Sequence, residues 1–133
     1  KIYKRFYKFN DFQFIAIGTK EIETQVEDLV AQLQTGTNTE MTKWFFLLHE
    51  SKFSKNLFES LGTDLKLDEF HGSPYVFIID KKGFLRGRND SDGIKFGYDM
   101  RSVAELNNYM VDDVKIILAE YRLALKKNNI FDN

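Results

Sequence analysis

The chain's two histidines, His49 and His71, are the first candidates for a reactive or metal-binding site. An imidazole is both an acid–base group and a common metal ligand. His49 and Glu50 follow an apolar segment that ends at Leu48, and α/β sheets place ligands at the carboxyl ends of strands. His71 lies shortly before Pro74, but a single imidazole is no metal site, because it leaves the other coordination positions to solvent. The simpler interpretation of His49 is a polar residue that ends a strand. The simpler interpretation of His71 is a loop histidine near the surface.

An acidic segment and a basic cluster are the other candidates. The segment Asn89–Gly93 has the composition of a calcium loop, but EF-hand spacing would put Arg88 at the first ligand position and Asp99 at the last. A cation repels arginine, and the last position requires a bidentate glutamate, so we predict a solvated loop. The cluster could bind an acidic partner, or it could be a charged edge that discourages aggregation; its members are Lys81, Lys82, Arg86 and Arg88.

Carboxylates on the last predicted helix offer no acid–base pair. Asp112 with Asp113, and Glu120 with Arg122, are one or two positions apart. Residues at that spacing do not face each other on a helix. The chain also contains no cysteine, which excludes disulfides, thiolate zinc sites, iron–sulfur clusters and thiol catalysis within these residues.

The composition is that of a folded domain. The 133 residues are 43% hydrophobic and 15% aromatic, with a net charge of −1. This charge balance provides no global attraction to nucleic acid or to an anionic membrane. No apolar run approaches the roughly 20 residues of a membrane span. The chain starts at Lys1 rather than at methionine, and we expect that an upstream segment has been cleaved or left out.

Hydrophobic periodicity predicts the order α-β-α-β-α-β-β-α. Continuous apolar runs predict strands, of which the first two are expected to be buried on both faces of a parallel sheet. The predicted strands are Phe12–Ile17, Trp44–Leu48, Tyr75–Ile79 and Phe84–Arg88. The last two form a hairpin that turns at Gly83, and residues 35–42 and 89–98 are predicted loops. Helical spacing is seen over residues 1–8, from Ile22 to Leu33, from Phe53 to Leu61 and over 102–127.

The last helix has the clearest signal. Ser102 and Glu105 form a capping box at its start. Apolar residues follow at spacings of three and four, and we predict that they pack on the sheet: Val103, Leu106, Met110, Val114, Ile117, Leu118, Tyr121 and Leu125.

This order of elements resembles a thioredoxin-like α/β domain from its first helix onward. In that fold a proline, usually cis, precedes the third core strand and faces the active site, and residues 72–83 (GSPYVFIIDKKG) resemble this junction. We therefore predict a cis peptide bond before Pro74, close to His71.

Within the superfamily, the chain most resembles the SCO/SenC family, whose members are membrane-anchored, extracytoplasmic copper proteins that assemble the copper centre of cytochrome c oxidase. The resemblance lies in residues 1–17 (KIYKRFYKFNDFQFIAI), in residues 43–48 (KWFFLL) and in His71. It implies an electron-transport or copper-chaperone function, with His71 as a copper ligand beside two thiolates. It also implies a periplasmic location and a protein partner such as an oxidase subunit. The family's CxxxC pair is absent here, so copper would require thiols upstream of Lys1.

Two alternatives remain at this point. The chain is a redox-inactive thioredoxin-like module that binds other proteins, or a thiol oxidoreductase or peroxiredoxin relative whose cysteines lie upstream. The residues themselves show no catalytic thiol and no hydrolase or nucleotide motif, so no enzymatic activity is predicted from them. We expect residues 1–133 to be one thioredoxin-like domain whose first, central core strand lies upstream of Lys1.

Overall fold

The computed structural model describes residues 2–70, 72–88 and 97–131. These residues form a mixed α/β structure of helices and small sheets. The chain divides into two compact units: the first contains residues 1–62 and 66–73, and the second contains residues 63–65 and 74–133. The α/β class predicted from the sequence is confirmed. A single thioredoxin-like domain with a missing first strand stays a prediction.

The first unit is built around two parallel strands. Its elements are α1 (Ile2–Phe6), β1 (Phe14–Thr19), a 3₁₀ helix (Lys20–Gln25), α2 (Val26–Thr37), β2 (Trp44–His49) and α3 (Ser51–Ser60). β1 and β2 pair in parallel from Phe14 opposite Trp44 to Thr19 opposite His49. Parallel neighbours need a crossover connection, which the 3₁₀ helix and α2 supply. The predicted parallel pairing is therefore confirmed.

α2 runs further than the sequence pattern predicted. Residues 35–37 were expected to be loop, yet the helix continues through Thr37. The Thr37 hydroxyl donates to the carbonyl oxygen of Leu33 at 2.6 Å. The helix ends at Asn38, whose φ of 52° is left-handed. Asparagine enters this region more readily than most residues, so it ends the helix where no glycine is available.

The second unit joins short antiparallel strand pairs to a long helix. Its strands are β3 (Tyr75–Val76), β4 (Ile78–Ile79), β5 (Leu85–Arg86) and β6 (Tyr98–Asp99). β4 pairs with β5, which confirms the predicted hairpin, and Gly83 has the expected positive φ of 86° in its turn. β3 pairs instead with β6, at the end of the segment predicted as loop. The sequence pattern did not predict this second pairing.

The final helical segment contains α4 (Val103–Glu105), a π-helical turn (Leu106–Met110) and α5 (Val111–Phe131). The Ser102 hydroxyl accepts from the Glu105 amide at 3.2 Å, as the capping box predicts. The Glu105 carboxylate accepts from the amide of Asp99, the last residue of β6, at 3.2 Å. In a complete capping box it would instead accept from the Ser102 amide.

The buried face of this segment differs in part from the prediction. Met110, Val114, Ile117 and Leu118 are buried as expected, together with Val111. Leu106 and Tyr121 are half-buried. Val103 and Leu125, however, are 57% and 55% exposed, so the prediction was wrong there. The wider π turn shifts Val103 out of phase with the buried residues, and the helix is exposed from Arg122 to Lys127.

The predicted cis bond before Pro74 is also wrong, because the Ser73–Pro74 peptide bond is trans. The trans form remains the lower in energy even before proline. The Pro74 carbonyl accepts from the amide of Met100 at 2.9 Å and extends the contact between β3 and β6. Within the described ranges, no helix combines the length and apolar character needed to cross a bilayer.

Candidate functional site

The two faces of the β1–β2 sheet differ sharply in how they are covered. Ile15, Ile17, Phe45 and Leu47, which we call the apolar face, are 46%, 42%, 45% and 42% exposed. They share one side of the sheet, because alternate residues of a strand point the same way and because Ile15 lies opposite Phe45 and Ile17 opposite Leu47. The sequence-based prediction that both strands are buried on both faces is therefore wrong. A contiguous exposed apolar surface of this kind marks an interaction site more often than scattered apolar residues do.

The opposite face is half-buried, and aromatic packing covers part of it. The ring centroids of Phe14 and Trp44 are 4.3 Å apart, and the Trp44 ring is stacked on Phe46 at 6.1 Å. Tyr3 of α1, only 2% exposed, lies 5.2 Å from Trp44. Further along this face, a Cβ added at Gly18 would lie 2.7 Å from Cδ1 of Ile22. This side is therefore the better covered of the two, because Tyr3 of α1 packs against Phe14 and Trp44 there.

The hydroxyl of Tyr3 fixes the loop that precedes β2. It donates to the carbonyl oxygen of Glu40 at 2.7 Å and accepts from the amide of Lys43 at 3.2 Å. Both partners are backbone groups that would otherwise require water or another residue. α1 therefore sets the position from which β2, and with it Phe45 and Leu47, begins.

The carboxyl end of the same sheet contains one of the two predicted histidine sites. Thr19 and His49 end the paired strands, and the His49 ring is stacked on Phe53 of α3 at 4.1 Å. Glu50 occupies the N-cap position of α3, where its carbonyl accepts from the Phe53 amide at 3.0 Å. In the part of the chain that the structure describes, no three His, Cys, Asp or Glu side chains are grouped to hold a metal ion. The contacts of His49 are therefore those of a residue that joins a strand to a helix.

An open cleft of about 650 Å³ lies elsewhere in the first unit. Its lining combines amide, hydroxyl and charged groups of both signs: Tyr7, Lys8, Gln34, Asn38, Thr39, Glu40, Thr42 and Lys43. One of these cations is engaged, because the Lys43 ammonium donates to the carbonyl of Phe9. This mixed polar lining points to no particular ligand class.

Two members of the predicted basic cluster, Arg86 and Arg88, form ion pairs within the second unit. Arg86 donates to Glu120 at 2.9 and 3.1 Å and to Asp80 at 3.4 Å. Hydrogen bonding from Arg86 lowers the pKa of Glu120, and the backbone amide of Phe84 lowers the pKa of Asp80. Lys81 places its ammonium 4.8 Å from the ring centroid of Tyr121. Arg86 therefore connects the hairpin to α5, which favours a structural role for that part of the cluster.

Arg88 makes the tightest connection in this network. Its guanidinium donates to the Asp113 carboxylate at 2.8, 3.0 and 3.1 Å. The hydroxyl of Tyr98 donates to the same carboxylate at 2.5 Å. Burial, and then this hydrogen bond, raise the pKa of the Tyr98 phenol. Gly87 has a φ of 135°, and a Cβ there would lie 2.7 Å from the Tyr98 hydroxyl, so glycine allows the hydroxyl to approach.

The sequence analysis did not identify Asp113 as the carboxylate that binds Arg88 and Tyr98. It was considered only as a partner of its neighbour Asp112, whereas its actual partner Arg88 lies 25 positions away. The signal that could have found it is its place among buried apolar positions of the final helical segment, between Met110 and Val114. An acidic residue on a buried helix face requires a cation or a hydrogen-bond donor.

The two loop candidates are not tested by the structure. His71, the candidate copper ligand, and the segment Asn89–Gly93 lie outside the described residues. No family model, curated protein or solved structure matches this chain. Its function must therefore be argued from its surfaces.

Proposed function

We propose that this chain is a thioredoxin-like domain that acts by binding another protein, and that the apolar face is its contact surface. The observation that carries the proposal is the exposure of 42–46% at four apolar residues that lie side by side in register. The absence of cysteine fits a module that acts by binding rather than by thiol exchange. The parallel β1–β2 pair, its crossover helix and the later hairpin follow the order expected for such a domain.

The partner element that fits this surface is an amphipathic helix. Parallel sheets are normally covered by helices on both faces. A helix about 10 Å wide spans two strands about 4.8 Å apart. None of the four side chains of the apolar face is charged, so recognition there depends on apolar contact. The polar residues Thr19 and His49 continue the same side of the paired strands.

The expected affinity is modest. Covering four half-exposed side chains contributes about 3–6 kcal/mol before the costs of association are subtracted. A partner helix would require further contacts around these residues to form a lasting complex. The proposal therefore describes a reversible interaction.

Site-specific photocrosslinking tests this proposal. A photoreactive phenylalanine analogue at Phe45 should give a discrete crosslinked product in the native host, and the same analogue at Glu27, an exposed position of α2, should not. The partner, identified by mass spectrometry and purified, should bind the wild-type chain. Leu47→Lys should weaken this binding about tenfold or more, as loss of a central apolar contact does, whereas Glu27→Lys should leave it unchanged. Equal crosslinking at both positions, products of this chain alone, or equal binding by Leu47→Lys would contradict the proposal.

A second candidate is copper delivery of the SCO/SenC kind, in a membrane-anchored protein outside the cytoplasm. The order of elements favours it, because a βαβ segment is followed by a hairpin and a long helix. His71 would supply the imidazole, and the thiolates would come from a CxxxC upstream of Lys1. The described residues bring together no group of three potential ligands, so by themselves they do not form a copper site and we derive no copper step from them.

The intact polypeptide decides this second candidate. A CxxxC upstream of Lys1, stoichiometric Cu(I) binding in a competition assay and weaker binding by His71→Ala would support it. Insulin reduction or peroxidase activity without copper binding would favour a thiol oxidoreductase instead. Neither copper binding nor thiol activity would leave the interaction module as the function.

A further inference from the structure

α5 carries a second stripe of residues on its exposed side, apolar at its centre and charged at its two ends. Asp112, Ile116, Ala119, Leu123 and Lys126 are all exposed, and Ile116 and Leu123 are 55% and 59% exposed. Their spacing alternates four, three, four and three residues. This is the repeat by which helices pair in coiled coils. The stripe is separate from the residues that α5 buries in its own unit, such as Val114 and Ile117.

The ends of this stripe carry opposite charges. Asp112 lies at its amino-terminal end and Lys126 at its carboxyl-terminal end, with Ala119 midway. If two copies cross antiparallel at Ala119, Asp112 of each copy faces Lys126 of the other, and Ile116 faces Leu123. A parallel arrangement would instead place the two aspartates together and the two lysines together. The small side chain of Ala119 allows the helices to approach closely at the crossing.

We propose that the chain self-associates through this stripe, with α5 of one copy antiparallel to α5 of a second. The contact is isologous, since each copy presents the same surface, and such two-fold pairing is the commonest symmetry of protein oligomers. Lys115 and Arg122 lie beside the stripe and repel their counterparts across the same contact. A short stripe with this repulsion buries little surface, so the dimer is expected to be weak and reversible.

Paired substitutions on α5 provide the first test. Leu123 and Leu125 are 59% and 55% exposed, so Lys at either position leaves the buried core unchanged. In sedimentation velocity from about 5 to 500 µM, the wild-type chain should shift reversibly from monomer to dimer. Leu123→Lys should raise the dissociation constant about tenfold or more, which corresponds to 1.4 kcal/mol, and Leu125→Lys should not. A wild-type chain that stays monomeric throughout, or equal effects of both substitutions, would overturn the proposal.

Charge reversal tests the antiparallel orientation. Asp112→Lys and Lys126→Asp should each weaken the dimer, and the double variant should restore it, because the pairs are then reversed but still complementary. Circular dichroism of each variant checks that helix content is unchanged. Failure of the double variant to recover dimerisation, with helix content intact, would exclude the antiparallel contact.

Disulfide trapping provides the last test, aided by a chain that contains no cysteine. Ala119→Cys should form a disulfide dimer readily under mild oxidation, because the two sites meet at the crossing. Asp112→Cys should not, because its two copies would lie about 20 Å apart at 1.5 Å rise per residue. Equal trapping at both positions, or loss of dimerisation in Leu47→Lys but not in Leu123→Lys, would overturn the proposal. These outcomes do not depend on the apolar face, so either proposal can fail alone.

Discussion

Each of the two units is stabilised internally by a different kind of interaction. In the first unit the interior contacts are aromatic: Tyr3, Phe14 and Trp44 form a cluster whose ring centroids lie 4.3–6.4 Å apart. In the second unit, an ion pair and a phenol accompany the apolar core, because Arg88 and Tyr98 both donate to Asp113. In the first unit, aromatic packing on one side of the sheet leaves the apolar face exposed and accessible to other proteins. In the second unit, Arg86 and Arg88 instead pair with carboxylates of the same unit.

This contrast reverses what the sequence predicted about which surface is available to bind another protein. The basic cluster on the hairpin was a candidate contact for an acidic partner, but Arg86 and Arg88 bind carboxylates of their own unit. The β1 and β2 strands were expected to be fully buried, but one of their faces is exposed. The apolar face is therefore a better candidate than the basic cluster for binding another protein.

The largest expected effect is that of Tyr3→Ala in the first unit. Tyr3 is 2% exposed and contacts several rings, so its loss should destabilise the unit by about 3–5 kcal/mol. Trp44 is the chain's one tryptophan, so its fluorescence during urea unfolding reports on this unit. Tyr3→Phe, which retains the ring, should cost about 1 kcal/mol for the lost hydrogen bonds. Equal losses for the two variants would mean that the hydroxyl, rather than the ring, stabilises the cluster.

Ile117→Ala tests the apolar part of the second unit. Ile117 is 7% exposed on the buried side of α5, and its truncation should cost about 2–5 kcal/mol. Circular dichroism at 222 nm during denaturant titration measures this change. Leu125→Ala is the control, because Leu125 is also an apolar residue of α5, is 55% exposed and lies outside the proposed dimer contact. A loss below about 0.5 kcal/mol for Ile117→Ala would mean that the buried face is misassigned.

Tyr98→Phe tests the polar part of the same unit. Removing the hydroxyl should cost about 1–2 kcal/mol, because a buried carboxylate loses one of its donors. The pKa of Tyr98 is raised in the folded chain, so the folded state holds this proton more tightly than the unfolded state. The stabilisation is complete below pH 10, the ordinary tyrosine value, and it decreases as the pH rises above it. The stability difference between wild type and Tyr98→Phe should therefore narrow above pH 10, and a constant difference would count against the raised pKa.

The smallest expected effect concerns the ion pair between Arg86 and Glu120. The hydrogen bonds from Arg86 lower the pKa of Glu120. The contribution of this ion pair to folding stability is therefore present at neutral pH, and it is lost as the pH falls through the lowered pKa of Glu120. Carboxyl carbon NMR should show Glu120 titrating below the ordinary range, and Arg86→Gln should move that titration upward. Because the pair is exposed to solvent, the effect should decrease in high salt. An unchanged titration in Arg86→Gln would rule out the contact in solution.

Several features of the fold could be read from local pattern. Continuous apolar runs predicted β1 and β2 and their parallel pairing, the Ser102–Glu105 spacing predicted the helix start, and Gly83 predicted the hairpin turn. Each depends on residues close together in sequence. The face of a strand that becomes buried does not, because it depends on which distant segment covers it.

Local pattern was therefore enough to predict the α/β class, the order of most elements and the burial of Met110, Val114, Ile117 and Leu118. Long-range contacts, in contrast, pair β3 with β6, bury Asp113 against Arg88 and Tyr98, and leave one face of the β1–β2 sheet exposed. The physical reason is the range of the interactions involved. Helix caps, turns and periodic stripes arise from neighbours within a few residues, whereas strand partners, ion pairs and burial join residues tens of positions apart, and local pattern does not encode that choice.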